Sequence, residues 1–370
     1  MQARLAARME QGALRKLNPG TDLIDFSSND YLGFAHDERL YRRTSEIAGN
    51  HCNGSTGSRL LTGNHPLYAV AEARVAQLHE AGSALIFNSG YDANLGVFSS
   101  IPQRGEIVLY DEYCHASIRD GLRLSAARAF KFAHNDLKDL ERLLETYRDN
   151  TVYVATESVF SMDGDSPALV RLVELCEKFG AHAIIDEAHA VGVFGDRGSG
   201  LVQEHRLQER VFARVVTFGK ALGCHGAAVL GPAGLNDYLV NFARSFIYTT
   251  GLPPHSLAAV IASYQALESA DGTIEKLRDN ILHFSREKTS MGLNGIFVGG
   301  KSAIASAIIP GNEKVRSIAK QLGDAGFDVR PILSPTVPQR QERLRFCIHA
   351  FNTPEQITSV LEKLTKNLFA

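Results

Sequence analysis

Two short apolar runs in the middle of the chain each end on polar groups that could do chemistry. Ala183-Ile184-Ile185 leads into Asp186-Glu187-Ala188-His189, and Val215-Val216 leads into Thr217-Phe218-Gly219-Lys220. The first run delivers a carboxylate and an imidazole, the second a hydroxyl and an amine. In an open parallel sheet, ligands sit outside the carboxyl ends of the strands, so these four groups are placed to meet on one molecule. Their combination suits pyridoxal phosphate. The amine forms a Schiff base with an aldehyde, the acid holds a pyridine nitrogen protonated, and the ring withdraws electrons. Either half alone reads as an ordinary strand end or a solvated lysine.

Further segments add candidates. Asn88-Ser89-Gly90-Tyr91-Asp92-Ala93-Asn94 follows an apolar run and places a glycine where a helix begins. A helix N-terminus offers backbone N–H groups to a phosphate, and Gly90 permits close approach. Tyr91 offers an aromatic wall or a hydroxyl. His115, in Asp111-Glu112-Tyr113-Cys114-His115, stands where an imidazole can stack on a flat ring, and Glu157, Ser158 and Ser161 occupy the end of a further strand. Ser161 is a candidate for the phosphate or the ring oxygen. Asn29 and Tyr31 lie in Ser27-Ser28-Asn29-Asp30-Tyr31-Leu32-Gly33, which reads either as a turn or as a ligand-facing loop. The glycine-rich stretch 50–64 is too long and too ordered at its far end, by the helix starting at His65-Pro66, to be an idle connection. No metal site is expected, because Cys114-His115, Cys224-His225 and Asp186-His189 lack spaced ligand pairs and no His-Glu-x-x-His is present. A serine nucleophile is disfavoured by the lack of a Gly-x-Ser-x-Gly elbow.

The elements that must carry these groups alternate. Strands are expected at 84–87, 107–110, 129–132, 152–156, 183–185, 215–218 and 227–230, with helical patterns such as 137–147 and 169–179 between most of them. This is the pattern of a mainly parallel sheet covered on both faces. The last strand follows Lys220 after too short a connection for a parallel crossover, so it should run antiparallel. The pattern predicts a helix over residues 1–18, ended by Pro19-Gly20, a strand at 23–26, and a helix-rich stretch at 253–290. Strands at 303–309, 329–332 and 343–348, with helices at 313–325 and from 353, make a small α+β domain. The expected divisions are 1–45 for an N-terminal arm and substrate loop, 46–265 for a large cofactor-binding domain, and 266–370 for the small domain.

The 370 residues carry 39 basic and 41 acidic side chains, a net charge of -2, with 44% hydrophobic and 22% charged residues. That balance is typical of a globular protein and calls for neither nucleic acid nor an anionic membrane as partner. Five scattered cysteines favour reduced thiols. With no signal-like apolar block and no spanning segment, a cytoplasmic location is expected.

Taken together, the chain resembles the α-oxoamine synthases, pyridoxal phosphate enzymes of the type I aminotransferase fold. The motifs that carry the resemblance are Ser27 to Gly33, Gly54-Ser55-Thr56-Gly57-Ser58-Arg59, Asn88 to Tyr91, Asp111 to Ser117, Glu157 to Asp165, Asp186 to His189, Thr217 to Lys220, Thr336-Val337-Pro338 and Arg343-Leu344-Arg345. The resemblance implies an α/β fold with a seven-stranded, mainly parallel sheet and a small α+β C-terminal domain. It implies that Lys220 carries the cofactor and moves the substrate α-proton, that Asp186 pairs with the pyridinium, that His189 contacts the ring hydroxyl and that His115 stacks. Gly90, Tyr91, Ser161 and Thr217 match phosphate-side positions, and Thr249 or Thr250 resembles a contribution from the second subunit of a homodimer. Arg345 is similar to the arginine that clamps an amino acid carboxylate, and Asn29, Glu157 and Thr336 to substrate-side residues. Within the family, Gly57 to Gly63 is most similar to the members that join L-alanine to a pimeloyl thioester in biotin synthesis, with thiol carried by coenzyme A or an acyl carrier protein. Glycine with acetyl-CoA, serine with a long acyl-CoA, and a non-catalytic cofactor-binding protein are the alternatives.

Overall fold

The computed structural model of the protein describes residues 1–10, 12–14, 17, 20, 22–49 and 53–369. They fall into two compact units. The first comprises Met1–Tyr31, Ser161–Asp165 and Glu275–Ala370, the second Leu32–Phe160 and Ser166–Ile274. In chain order, the first unit opens with β1 (Ile24–Asp25). The second carries β2 (Ser83–Phe87), β3 (Ile107–Asp111), β4 (Arg128–Phe132), β5 (Val152–Glu157), β6 (His182–Asp186), β7 (Ala213–Thr217) and β8 (Ala227–Gly231). The first unit resumes with β9 (Phe297–Val298), β10 (Ile304–Ile308), β11 (Phe327–Asp328), β12 (Arg330–Ile332) and β13 (Arg343–Cys347).

β2 to β8 form one seven-stranded sheet in the order β2-β8-β7-β6-β5-β3-β4. β3 to β7 pair in parallel, while β8 is antiparallel to both of its neighbours. The short connection from Lys220 to β8 leaves no other direction for that strand, as its length predicts. The strands are apolar on both sides because both faces are covered. Val108, Ala155, Ile184, Val215 and Val229 point into a core with Val97, Phe98, Ile118 and Leu239. The alternate residues Ile107, Leu109, Val154, Ala183 and Ile185 pack with Leu140, Leu144, Leu172 and Val173 on the other face. Each Val, Leu, Ile or Phe among these contributes about 1.5–3 kcal/mol on burial. The edge strand β4 instead shows Arg128 and Lys131 to solvent, charges that discourage a further strand from pairing there.

In the first unit, β1 pairs in parallel with β11, and β12, β13, β10 and β9 form an antiparallel sheet in that order. Helices Asn312–Asp324 and Pro354–Phe369 belong to the same unit. The N-terminal helix is shorter than its periodicity suggests. It runs Gln2–Glu10, and the Gly12 and Ala13 N–H groups then turn back to the Met9 and Arg8 carbonyls at 2.9 and 2.8 Å. Pro19, expected to end it, lies outside the described residues. Among the described residues, no helix is long and apolar enough to cross a membrane.

The turn that carries Lys220 is closed by its own backbone. Gly223 N–H donates to the Lys220 carbonyl at 2.8 Å, and Cys224 N–H to the Phe218 carbonyl at 2.9 Å. Gly223 has φ +62°, and a Cβ there would run into the backbone nitrogen of Ala35. Neither constraint tolerates a side chain. Gly223→Ala is expected to destabilise the protein by about 1–3 kcal/mol, read as a lower urea midpoint; an unchanged midpoint would show that the turn relaxes without cost.

Candidate active site

The carboxyl ends of β5, β6 and β7 lie side by side, with Glu157 paired in register to Asp186 and Asp186 to Val215. Asp186 is only 6% exposed. Its Oδ2 accepts from Asn94 Nδ2 at 2.7 Å and its Oδ1 from the Ala188 N–H at 2.9 Å. His189 is buried in the turn that follows. From the end of β7, Thr217 is buried, and Lys220 Nζ donates to Thr217 Oγ1 at 3.3 Å. The amine is thus held back over the strand that precedes it.

Opposite Thr217 stands the Gly90 turn. Ser89 caps the helix Gly90–Ser100, its Oγ accepting from Asp92 N–H at 3.0 Å. A Cβ on Gly90 would lie 2.6 Å from Thr217 Cγ2, so only glycine lets this helix start so close to the strand end. The next helix, Ala116–Leu124, is capped by His115, whose Nδ1 accepts from the Ser117 N–H at 3.2 Å and lies 2.8 Å from Ser117 Oγ. His115 as a residue is exposed at the surface of this chain, while its ring lies against Ser117. Loss of surrounding water nonetheless lowers its pKa, the Asp186 carboxylate opposing and Lys220 reinforcing the shift.

Glu157 is 2% exposed, and its Oε1 accepts from the His115 N–H at 2.6 Å. Burial pushes its carboxyl well above the ordinary range and the neighbouring Asp186 adds to this, against the His115 N–H and Lys220. Two carboxyl groups side by side out of water do not both ionise readily.

Lys220, Thr217, Asp186, His189, His115, Glu157 and Gly90 therefore all belong to the second unit, at the strand ends or at the start of the adjoining helices. Thr249 is there too, its Oγ1 accepting from Asn88 Nδ2 at 3.0 Å, and the same amide donates to the Thr250 carbonyl at 2.7 Å. Tyr91 is 44% exposed, and its hydroxyl donates to Asp120 Oδ2 at 2.6 Å. Arg345, Asn29 and Ser161 make a separate group in the first unit. Arg345 Nη2 donates to Asn29 Oδ1 at 2.9 Å, Nε to the Ser161 carbonyl at 2.7 Å, and Nη1 to Cys347 Sγ at 3.0 Å. Thr336 is in an exposed turn of that unit, its N–H on the Leu333 carbonyl at 2.8 Å.

Sequence reasoning passed over three participants. Asn94 and Ser117 are buried polar residues on the inner faces of their helices, a signal visible only once those faces are known. Arg59 holds the glycine-rich loop: its guanidinium forks onto Glu72 at 2.6 and 3.1 Å, donates to the Ile86 carbonyl at 3.2 Å and lies 3.6 Å over the Tyr68 ring. Asn50, His51 and Cys52 of that loop lie outside the described residues.

The donor set of the second unit fits pyridoxal phosphate. Lys220 supplies an amine for the aldehyde, Asp186 a buried carboxylate for the ring nitrogen, His115 a planar face, and the Gly90 turn the close approach and backbone N–H groups that a phosphate requires.

Comparison with known proteins gives the same direction. Residues 21–364 match the family model described as aminotransferase class I and II. The chain is 42% identical over 372 residues to 8-amino-7-oxononanoate synthase of Emericella nidulans, covering 92% of this chain and 88% of that protein. Its fold superposes on serine palmitoyltransferase from S. paucimobilis with a bound pyridoxal phosphate–myriocin aldimine, with a TM-score of 0.90 at 28% identity, covering 99% and 96% of the two chains. The crystal structure of 8-amino-7-oxononanoate synthase from Francisella tularensis matches with a TM-score of 0.80 at 29% identity, covering 94% and 98%.

The Glu157 environment makes a checkable difference to stability. A carboxyl whose pKa is raised on folding stabilises the fold fully below its ordinary value of 4.5 and less as pH rises above it. Glu157→Gln keeps an acceptor for His115 N–H and removes this titration. The urea midpoint of the cofactor-free variant should fall less between pH 5 and 8 than that of the parent; parallel curves would refute the protonated state of Glu157.

Proposed function

The chain belongs to the class I and II aminotransferase family and, within it, to the α-oxoamine synthases, and we propose that it condenses L-alanine with a pimeloyl thioester, giving 8-amino-7-oxononanoate, CO2 and free thiol. It is a pyridoxal phosphate-dependent acyltransferase. The observation that carries the reading is the placement of Lys220 Nζ against Thr217 at one strand end, beside the buried Asp186 carboxylate at the next. Bound pyridoxal phosphate supplies an aldehyde for an amine and a cationic ring that draws electrons from the amino acid Cα.

The residues of this chain do the rest. Asp186 keeps the ring nitrogen protonated, His115 and His189 hold the ring and its hydroxyl, and Gly90 and Thr217 receive the phosphate. By resemblance to the family, Tyr91 and Ser161 are proposed as phosphate-side residues. Lys220 Nζ would remove the proton from the amino acid Cα and later return one to the same carbon. By the same resemblance, Arg345 is proposed to receive the alanine carboxylate, for which a guanidinium fork is the matching shape, and Asn29, Glu157 and Thr336 to be substrate-side residues. The proposal includes a homodimer working in the cytoplasm, with Thr249 or Thr250 contributing to the second subunit's site.

Identity to a named 8-amino-7-oxononanoate synthase supports alanine and a pimeloyl group. A serine and long-chain acyl reading is kept because the fold matches serine palmitoyltransferase at a TM-score of 0.90. Thiol release by the loaded protein, with alanine, glycine and serine against pimeloyl-, acetyl- and palmitoyl-CoA, decides between them. Release confined to alanine with pimeloyl-CoA is expected, and release with serine and palmitoyl-CoA would replace the proposal with its alternative. With the productive pair, Lys220→Ala should lose at least about 10³-fold in kcat, and near-parental turnover would remove Lys220 from its role.

A further inference from the structure

Asn94 lies on the helix Gly90–Ser100, one turn beyond the Gly90 turn, and is 2% exposed. Its amide nitrogen donates to Asp186 Oδ2 at 2.7 Å and to Ser117 Oγ at 3.0 Å. Its Oδ1 is buried and accepts no hydrogen bond among the described residues. A buried acceptor left in that state costs about 1–3 kcal/mol. Turning the amide over would aim the oxygen at a carboxylate. The position therefore bears a cost to the fold, and what it gains is a pair of donors directed at two different groups.

The second donor reaches His115 through Ser117. Ser117 Oγ accepts from Asn94 and lies 2.8 Å from His115 Nδ1, to which the Ser117 backbone N–H also donates at 3.2 Å. A ring nitrogen that receives a backbone N–H presents a lone pair, so Nδ1 carries no proton and the neutral ring is protonated at Nε2. The hydroxyl hydrogen of Ser117 completes the same arrangement. Asp186, Asn94, Ser117 and His115 thus form one continuous hydrogen-bonded chain across two helices and a strand end.

We propose that Asn94 is a positioning residue that orients the Asp186 carboxylate toward the cofactor ring nitrogen and fixes the Ser117 hydroxyl as a second donor to His115 Nδ1, reinforcing the Nε2–H tautomer that the Ser117 backbone N–H sets. The proposal rests on the reading in which Asp186 and His115 serve pyridoxal phosphate.

The test uses cofactor titration and the ring nitrogen resonances of 15N-histidine-labelled protein. Asn94→Ala should weaken pyridoxal phosphate binding about 10-fold or more, the scale of a lost hydrogen bond to a charged group, and shift the His115 resonances away from the Nε2–H pattern. Ser117→Ala should shift those resonances while changing cofactor affinity by less than about 3-fold, because the Asn94 to Asp186 bond survives. If Asn94→Ala does not fold, the isosteric Asn94→Asp carries the test. Relative to the parent at each pH, it should bind poorly at pH 8 and recover toward pH 5 as a proton shared between the two acids restores a donor. Parental affinity and parental His115 resonances in the Asn94 variants would overturn the proposal. Asp186→Ala separates the two levels: if it weakens binding while the Asn94 variants do not, only the role of Asn94 fails. If it leaves binding unchanged, the assignment of Asp186 to the cofactor fails with it.

Discussion

The second unit is organised by the need to keep one carboxylate, Asp186, in a place that water hardly reaches. A buried carboxylate demands donors, and two, among the described residues, come from different parts of the chain: the Asn94 amide on one helix and the Ala188 N–H in the turn after β6. The parallel register then sets Glu157 directly alongside. Burial and that neighbour push the Glu157 carboxyl toward its neutral form, where it still accepts from the His115 N–H. Acid, neutral acid and imidazole are therefore arranged by one electrostatic problem and its solution.

Close packing supplies the rest of the precision. The Gly90 helix can begin against Thr217 only because no Cβ intervenes, and the Lys220 turn can close only because Gly223 fits against Ala35. Arg59 extends this support to the glycine-rich loop. Its fork on Glu72 and its stacking on Tyr68 use the planarity of the guanidinium, while its bond to the Ile86 carbonyl ties the loop to the strand that leads into the Gly90 turn. A lysine at that position would keep the charge and lose the geometry.

Shape and substrate are separate questions here. A TM-score of 0.90 to serine palmitoyltransferase and 0.80 to an 8-amino-7-oxononanoate synthase shows that one fold hosts more than one acyl transfer. A fold match therefore does not identify the acyl group, which depends on the side chains of the site.

Much of this protein is local and was legible in its sequence. The seven strands of the large sheet, the antiparallel direction of β8, the glycine at the head of the helix Gly90–Ser100 and the polar groups at the ends of β6 and β7 follow from apolar runs, connection lengths and turn residues. Those signals act over a few residues, so they survive without a fold. Tertiary structure alone decided which groups meet. Asn94 finds Asp186 across 92 residues of sequence, and Asn29 finds Arg345 across 316. The Tyr91 hydroxyl, which in the sequence is offered to a ligand, is engaged by Asp120. The N-terminal helix does not reach Gly12, although its periodicity continues to Leu17. Periodicity tells which face of an element is buried; the partner of each buried polar atom depends on how distant segments close around it, and that closure has no local signature.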